Sequence, residues 1–146
     1  MEEFDTKLLL KRLSEGMIPM HTLLGVELHD VQDGFVAFKL PFHEKLIGDF
    51  INRKIHGGVI SAVMDAVGGA VGILNFKAPE DQLSTINIHV NYLLPTTDKD
   101  MIFEARSIKN GSRVIFTEMK AFHVGEEDKI VATGTAAYSF KPKSAK

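Results

Sequence analysis

Residues 56–72 read HGGVISAVMDAVGGAVG and carry the strongest structural pattern in the sequence. On a helix drawn at about 100° per residue, its apolar side chains occupy most of the circumference, which predicts a helix buried in a core. The apolar run 59–74 holds only 16 residues and has an acid near its middle. Because a bilayer crossing needs about 20 apolar residues, we interpret the segment from about Gly57 to Asn75 as a core helix.

One narrow stripe of this helix differs from the rest. Each glycine in it costs the helix roughly 1 kcal/mol against alanine, so several on one side indicate that another surface approaches the backbone closely. We expect a second subunit, a ligand, or both. The small residues and the single acid of the stripe fall within a sector of about 100°: Gly58, Ser61, Asp65, Gly68, Gly69 and Gly72.

Asp65 is the only charged residue of the stripe. A carboxylate in a buried setting needs a partner or a function, and no lysine or arginine stands three or four residues before or after it. Two interpretations stay open from the helix alone. Asp65 is either a structural acceptor for a hydroxyl or an amide, or a catalytic group.

The residues His56, Gly57 and Gly58 stand where the helix begins. The first N–H groups of a helix have no partner inside it, and the positive end of the helix dipole lies there. Such an end can hold an anion or the oxyanion of an acyl-transfer intermediate. A simple tight turn explains the glycines equally well.

The spacing between the two features predicts an assembly. Asp65 follows His56 by nine residues, which is roughly 13 Å along a helix axis. The helix start and the carboxylate of one chain are therefore too far apart to act on one carbonyl. They can meet only if a second helix runs antiparallel alongside, which predicts a two-fold dimer with two composite sites.

The remaining chain predicts an α+β fold in a single domain, 1–146. Turn signals such as Asn110-Gly111 imply antiparallel pairing of about six strands wrapped around one long helix. The N-terminal helix should cover the fold as a lid and end at Gly16 and Pro19. The predicted elements besides the long helix are an amphipathic helix at 1–18, strands at 24–31, 35–40, 85–92, 101–108, 114–124 and 129–140, an irregular segment at 41–55 and a flexible tail at 141–146.

Composition narrows the function classes. The 146 residues are 45% hydrophobic and 25% charged, with a formal charge of −2, as in ordinary globular proteins without a nucleic-acid partner. The absence of cysteine excludes disulfides, thiolate zinc sites and a cysteine nucleophile. No signal-peptide pattern opens the chain, and no histidines show metal-ligand pairing. We expect a cytoplasmic protein without a membrane partner, metal or cofactor.

The run HGGVISAVMDAVGGAVG resembles the hotdog-fold acyl-CoA thioesterases of the phenylacetate-degradation (PaaI-like) group. In that group His-Gly-Gly starts the central helix and an Asp follows nine residues after the His. The run TINIHVNYLLP, 85–95, is similar to their next strand, with Leu94 where an Arg often stands. The resemblance covers about residues 24–140. It implies hydrolysis of an aryl- or medium/long-chain acyl-CoA to free acid and CoA, by a homodimer that pairs into a homotetramer.

The resemblance also implies roles for individual residues. Asp65 corresponds to the general base or nucleophile, and Gly57, with Gly58 behind it, to the source of the oxyanion N–H. His56 would orient or polarise the thioester. Thr85 matches a strand hydroxyl that bonds the catalytic carboxylate or a water.

Two more polar residues are candidates near the helix start. Asn52 corresponds to an Asn that the family often places before the His, although its spacing of four residues is short and Asp49 lies nearer the usual place. Ser61 stands one turn before Asp65, and we expect it to bond the carboxylate or to pack beside the substrate. The cations that would meet the phosphates of CoA are Arg53, Lys54, Lys109 and Arg113.

Two other functions stay open. His56 would suit the acid–base chemistry of a hotdog enoyl-CoA hydratase or dehydratase, which turnover of crotonyl-CoA would reveal. A non-catalytic module that binds acyl-CoA or a small apolar ligand is the third hypothesis, because a fold does not guarantee activity. Ligand binding that survives Asp65→Ala without any hydrolysis would favour this module.

Overall fold

A computed structural model describes residues 4–143. Its helices are α1 (Thr6–Arg12), α2 (Pro19–Leu24) and α3 (Gly57–Ile73), with a π-helical turn at Leu13–Met17 and a 3-10 turn at Glu44–Leu46. Its strands are β1 (Glu27–Gln32), β2 (Phe35–Leu40), β3 (Ile47–Asp49), β4 (Lys54–Ile55), β5 (Gln82–Tyr92), β6 (Met101–Asn110), β7 (Val114–His123) and β8 (Ala132–Lys141).

Six strands form one antiparallel sheet in the order β1-β2-β6-β7-β8-β5, while β3 and β4 make a separate hairpin. The helix α3 packs against β2, β5, β6, β7 and β8. The predicted α+β hotdog architecture, a six-stranded antiparallel sheet around one long helix, is therefore confirmed.

The core lies between α3 and the concave face of the sheet. Along β7 the burial alternates, with Thr117 and Met119 buried and Glu118 exposed, as expected for a strand with one face on a core. Val63 and Met64 of α3 are fully buried in the same cluster. Each such side chain contributes about 1.5–3 kcal/mol through burial, which fixes the position of the helix.

The glycine stripe of α3 has a different explanation from the one expected. A Cβ on Gly68 would collide with the Tyr138 hydroxyl, and a Cβ on Gly72 would lie 2.8 Å from Leu83 Cδ2. Both neighbours belong to the same chain. The expectation that a second subunit or a ligand approaches these two glycines was wrong, because strands β5 and β8 fill the space themselves.

The N-terminal segment also differs from its prediction. Gly16 does break the helix, with a φ of 157°, but Pro19 begins α2 instead of ending a helix, since proline is tolerated at the first helical position. Gly25, with a φ of 80°, closes α2. Strand β1 consequently starts at Glu27, three residues later than predicted. Residues 1–3 of the predicted helix lie outside the described residues.

The C-terminal boundary is later than the predicted tail at 141–146. Lys141 is the last residue of β8, and the Lys143 backbone N–H donates to Asp81 Oδ1 at 2.8 Å. Residues 144–146 lie outside the described part of the chain. Among the helices between residues 4 and 143, none combines the length and apolarity needed to cross a bilayer.

Candidate active site

Asp65 lies in the middle of α3 and receives hydrogen bonds from two strands. Its Oδ1 accepts from Thr85 Oγ1 at 2.9 Å and from the Tyr138 hydroxyl at 3.1 Å. The same tyrosine hydroxyl lies 2.9 Å from the Asp65 carbonyl oxygen. Thr85 and Tyr138 lie opposite each other in the β5–β8 pairing. One cross-strand pair therefore holds one carboxylate oxygen.

The other carboxylate oxygen of Asp65, Oδ2, has no hydrogen-bond or ion-pair partner in residues 4–143. The residue is half-buried. A carboxylate with one oxygen held and one free can take a proton from water or attack an electrophile. The contact with Thr85 is present, and the free Oδ2 suits a catalytic carboxylate.

Tyr138 was missed by the sequence analysis. Burial and the adjacent Asp65 carboxylate raise the pKa of its phenol well above the usual range, so the hydroxyl stays protonated and remains a donor. It is 1% exposed. The alternation of a strand over 129–140 places residue 138 on the same face as residue 136, and Ala136 is buried in the structure. This alternation could have indicated an inward-facing tyrosine.

At the start of α3, His56 is the N-cap residue. Its Nδ1 accepts from the Gly58 N–H at 2.8 Å, so a neutral ring carries its proton on Nε2. The Gly57 N–H donates to no acceptor within the described residues. It is thus a free N–H at the positive end of the helix, as an oxyanion donor requires.

Tyr92 is a second tyrosine beside this helix start. Its hydroxyl donates to the Gly57 carbonyl oxygen at 2.9 Å and pairs with Ser61 Oγ. Ser61 therefore bonds Tyr92 and not Asp65, contrary to one of the two expectations for it. The Tyr92 ring lies against Gly57, where a Cβ would meet ring carbon Cε1 at 3.5 Å.

Asn52 lies at the tip of the β3–β4 hairpin and its contacts are local. Its side chain donates to Asp49 Oδ2 at 2.9 Å and its backbone N–H to Asp49 Oδ1 at 3.0 Å. These bonds hold the pKa of Asp49 below its usual range. Among the described residues, neither forms a hydrogen bond to Asp65 or His56.

Three of the four predicted phosphate-binding cations, Arg53, Lys109 and Arg113, fall into two groups. Arg53 pairs with Glu44 and with Asp98, the latter at 2.8 Å, and these carboxylates raise the pKa of its guanidinium. Lys109 and Arg113, at the β6–β7 turn, form no ion pair in the described range. Their charges are available to a ligand, whereas the charge of Arg53 is already balanced.

Sheet register places the β6–β7 turn level with Asp65. Thr85, Tyr138, Ile115 and Asn110 form one row across β5, β8, β7 and β6. Three strand spacings of about 4.8 Å put the turn roughly 14 Å from Thr85. Lys109 and Arg113 adjoin the β6–β7 end of this row.

Two separate concave surfaces lie beside the candidate residues of α3. A cavity of about 170 Å³ lies beside Asp65, Thr85 and Tyr138, and an open depression of about 340 Å³ lies beside Gly57 and Tyr92. A larger groove of about 400 Å³ on the outer face of the sheet contains none of the predicted site residues, so size does not locate the chemistry here. In residues 4–143 no three His, Asp or Glu side chains are arranged to hold a metal ion.

A family model described as an acyl-CoA thioesterase N-terminal domain matches residues 48–139. The match runs from the β3–β4 hairpin through most of β8 and covers more than half of the chain. The chain belongs to the hotdog-fold thioesterase superfamily. The matched range includes His56, Asp65 and Thr85.

Individual relatives agree with this family. A candidate esterase of Halobacterium salinarum is 33% identical over 100 residues, which are 67% of this chain and 66% of that protein, just under two thirds of its length. The medium/long-chain acyl-CoA thioesterase YigI of Escherichia coli is 24% identical over 133 residues, 83% of this chain and 84% of YigI. The solved structure of a phenylacetic acid degradation-related protein from Ralstonia eutropha has a TM-score of 0.76 at 21% identity, over 89% of this chain and 98% of that one, and shows the fold alone.

The predicted resemblance to hotdog thioesterases is thus confirmed, and so is the enzyme class, a thioester hydrolase, at the level of the family. The roles of Asp65, Gly57, Gly58, His56 and Thr85 stay predictions. So do those of the other candidate residues and the metal-free, cofactor-free reaction.

Proposed function

We propose that this protein hydrolyses acyl-CoA thioesters with Asp65 as the catalytic carboxylate. The observation that carries the proposal is the arrangement of its two oxygens. Thr85 and Tyr138 hold Oδ1, while Oδ2 is free and the residue adjoins a cavity. A free carboxylate oxygen beside a cavity is available to a water or a substrate that enters the cavity.

In the reaction, Asp65 Oδ2 takes a proton from a water whose oxygen bonds to the thioester carbonyl carbon. The carbon–sulfur bond then breaks, the proton passes to the departing thiolate, and the products are a carboxylic acid and CoA. Direct attack of Oδ2 on the carbonyl is the alternative. The carbon–sulfur bond breaks and the CoA thiolate leaves with a proton from water, which yields a mixed anhydride on Asp65; water then hydrolyses the anhydride to the acid and the free carboxylate.

We propose that the oxyanion of the intermediate is held by the Gly57 N–H of a second copy. Within one chain Asp65 and Gly57 are eight residues apart, or roughly 12 Å along the helix. The same His56-capped helix start carries the unused N–H. An antiparallel partner helix would bring that N–H to the carboxylate, where one such donor is worth about 10²–10³ in rate.

The free edge of β5 supports such a pairing. This strand of 11 residues pairs only with β8 among the described residues, and an open edge is a template for another strand. Ile86, Tyr92, Leu93 and Leu94 are each about half exposed along and after it. A second copy would cover these side chains. A tetramer made of two such dimers stays a prediction from the family resemblance.

The proposal is tested by free-thiol release from hexanoyl-, phenylacetyl-, benzoyl- and palmitoyl-CoA. We expect hydrolysis of at least one substrate and a fall in kcat of about 1,000-fold for Asp65→Asn, because the amide cannot act as a base. Asp128→Asn, in the exposed β7–β8 turn, is the matched control and should leave kcat unchanged.

Other outcomes would contradict the proposal in distinct ways. Hydrolysis that survives Asp65→Asn would remove Asp65 from the chemistry. Hydration of crotonyl-CoA without thiol release would indicate a hydratase. Binding of acyl-CoA that is unaffected by Asp65→Ala, with no turnover, would indicate a non-catalytic module.

A further inference from the structure

His123, the last residue of β7, is a buried histidine that the proposed mechanism does not use. It is 5% exposed. Its Nε2 accepts from the Thr97 N–H at 3.0 Å, and its Nδ1 lies 3.2 Å from the Lys99 carbonyl oxygen and 3.3 Å from that of Asp100. Because Nε2 is an acceptor, the neutral ring carries its proton on Nδ1, which donates to these carbonyls.

All three partners of the ring belong to residues 96–100, a part of the connection between β5 and β6 that we call the 96–100 loop. Among the described residues, none of 95–99 forms a backbone–backbone hydrogen bond. The two nitrogens of His123 therefore tie the backbone of this loop to the sheet, in place of the pairing that a strand or a turn would provide.

The 96–100 loop in turn holds the chain that leads into α3. Thr96 is 6% exposed, and its Oγ1 accepts from the Ile55 N–H at 2.9 Å. Ile55 ends β4 and stands two residues before Gly57, the first residue of α3. A buried hydrogen bond thus joins the loop to the start of the helix.

We infer that His123 is a positioning residue for the Gly57 N–H. It fixes the 96–100 loop, Thr96 of this loop fixes Ile55, and Ile55 sets the point from which α3 begins. This inference rests on the proposed thioester hydrolysis. An oxyanion donor must lie about 2.7–3.1 Å from the developing charge, and a misplacement of about 1 Å can lower a rate about 100-fold. The ring should therefore affect kcat without touching the substrate.

Two variants separate the acceptor of the ring from its donor. His123→Gln can place an amide oxygen near the position of Nε2, and we expect its kcat within about threefold of wild type. His123→Asn reaches only the position of Nδ1, so the Thr97 N–H loses its acceptor, and kcat should fall about tenfold with KM unchanged. His29→Asn, exposed on β1, is the matched control and should leave both constants unchanged.

Thr96→Val tests the same connection at its other end. It nearly keeps the shape of the side chain but removes the acceptor of the Ile55 N–H, and it should lower kcat by a similar factor. The double variant with His123→Asn should lose about as much as either single variant, because both changes break one connection. Thr96→Val also carries the test if His123→Asn does not fold.

The Gly57→Pro background distinguishes positioning from a general effect on the fold. Proline has no N–H, so the donor that His123 is inferred to position is absent there. His123→Asn should then lower kcat no further. A general loss of folded protein would instead lower kcat by the same factor in both backgrounds.

Amide hydrogen exchange measures the connection without turnover. In His123→Asn the Ile55 amide should exchange at least tenfold faster than in wild type, because the loop that holds it is released. Amides in the middle of α3 should exchange at the wild-type rate, since a local opening leaves the core intact.

The outcomes separate this inference from the proposed function. If wild type hydrolyses acyl-CoA and His123→Asn retains the wild-type kcat, thioester hydrolysis stands and the role of His123 is overturned. An equal loss in the wild-type and Gly57→Pro backgrounds, or unchanged exchange of the Ile55 amide, also overturns it. If no acyl-CoA is hydrolysed at all, the proposed function fails and this inference fails with it.

Discussion

The middle and the start of helix α3 differ in how complete they are. In the middle, Asp65 is held by two donors from its own chain and adjoins a cavity that α1 and α2 cover. At the start, the Gly57 N–H has no acceptor in the described chain and adjoins an open depression beside Tyr92. The acid half of the proposed site is therefore built within one chain, and the oxyanion half faces outward.

A short domain can form a two-part catalytic site when each part comes from a different copy of the chain. The two halves are separated by roughly 12 Å along one rigid helix, so the chain cannot fold them together. Each half is held in position by local hydrogen bonds, from Thr85 and Tyr138 in one case and from His56 and Tyr92 in the other. A two-fold partner is the remaining way to join them.

The largest further effect is expected when the oxyanion half is disabled at a single atom. Gly57→Pro removes the N–H at the first helical position, where proline is tolerated. The preceding His56 has φ −59° and ψ 131°, which a residue before proline favours. We expect kcat to fall about 100-fold, measured by thiol release.

Gly57→Ala is the control for this change. Its Cβ would lie 3.5 Å from the Tyr92 ring, an ordinary contact, and it keeps the N–H. We expect its kcat within about threefold of wild type, because a single methyl at contact distance removes no donor from the oxyanion. Equal losses in the two variants would show that bulk at this position matters and that the N–H does not.

A smaller effect is expected when the acid half loses one of its two donors. Tyr138→Phe keeps the buried ring but removes the hydroxyl from Asp65, and we expect kcat to fall about tenfold because the carboxylate is held less firmly. The unfolding free energy should fall by about 1–2 kcal/mol. Thr85→Val should act in the same direction, with Thr135→Val on the exposed face of β8 as its control. An unchanged kcat in both variants would contradict the positioning role.

The smallest effect is expected when the predicted phosphate-binding cations are removed. Lys109→Ala and Arg113→Ala should each raise KM for acyl-CoA about threefold at low salt and leave kcat alone, since exposed charges act mainly through screened attraction. Arg53→Ala should change KM less, because Glu44 and Asp98 already pair with it. A larger rise for Arg53→Ala would reverse the assignment of the phosphate-binding surface.

The sequence sufficed for features that depend on neighbours along the chain. The apolar circumference of α3, the helix start at His56-Gly57 and the spacing to Asp65 are local patterns, and helix geometry converts them into positions. The contact between Thr85 and Asp65 was also anticipated from the family resemblance, and a hydrogen bond of 2.9 Å joins them.

Features that depend on distant pairing were not predictable in this way. Tyr138 meets Asp65 across 73 residues, which requires the β5–β8 register. The close approach at Gly68 and Gly72 was recognised, but the approaching groups were assigned to a partner because the inward faces of β5 and β8 were unknown. Pro19 was misinterpreted because proline can either end or begin a helix.

Subunit mixing tests the central claim, a site shared between two chains, most directly. Asp65→Asn and Gly57→Pro chains with different affinity tags are combined, and assemblies that contain both chains are purified. A shared site predicts that one of the two sites per dimer regains both intact residues, so activity should return to about half of wild type. Persistent inactivity of purified mixed dimers, with each parent inactive and folded, would place Asp65 and Gly57 in the same chain's site and contradict the account.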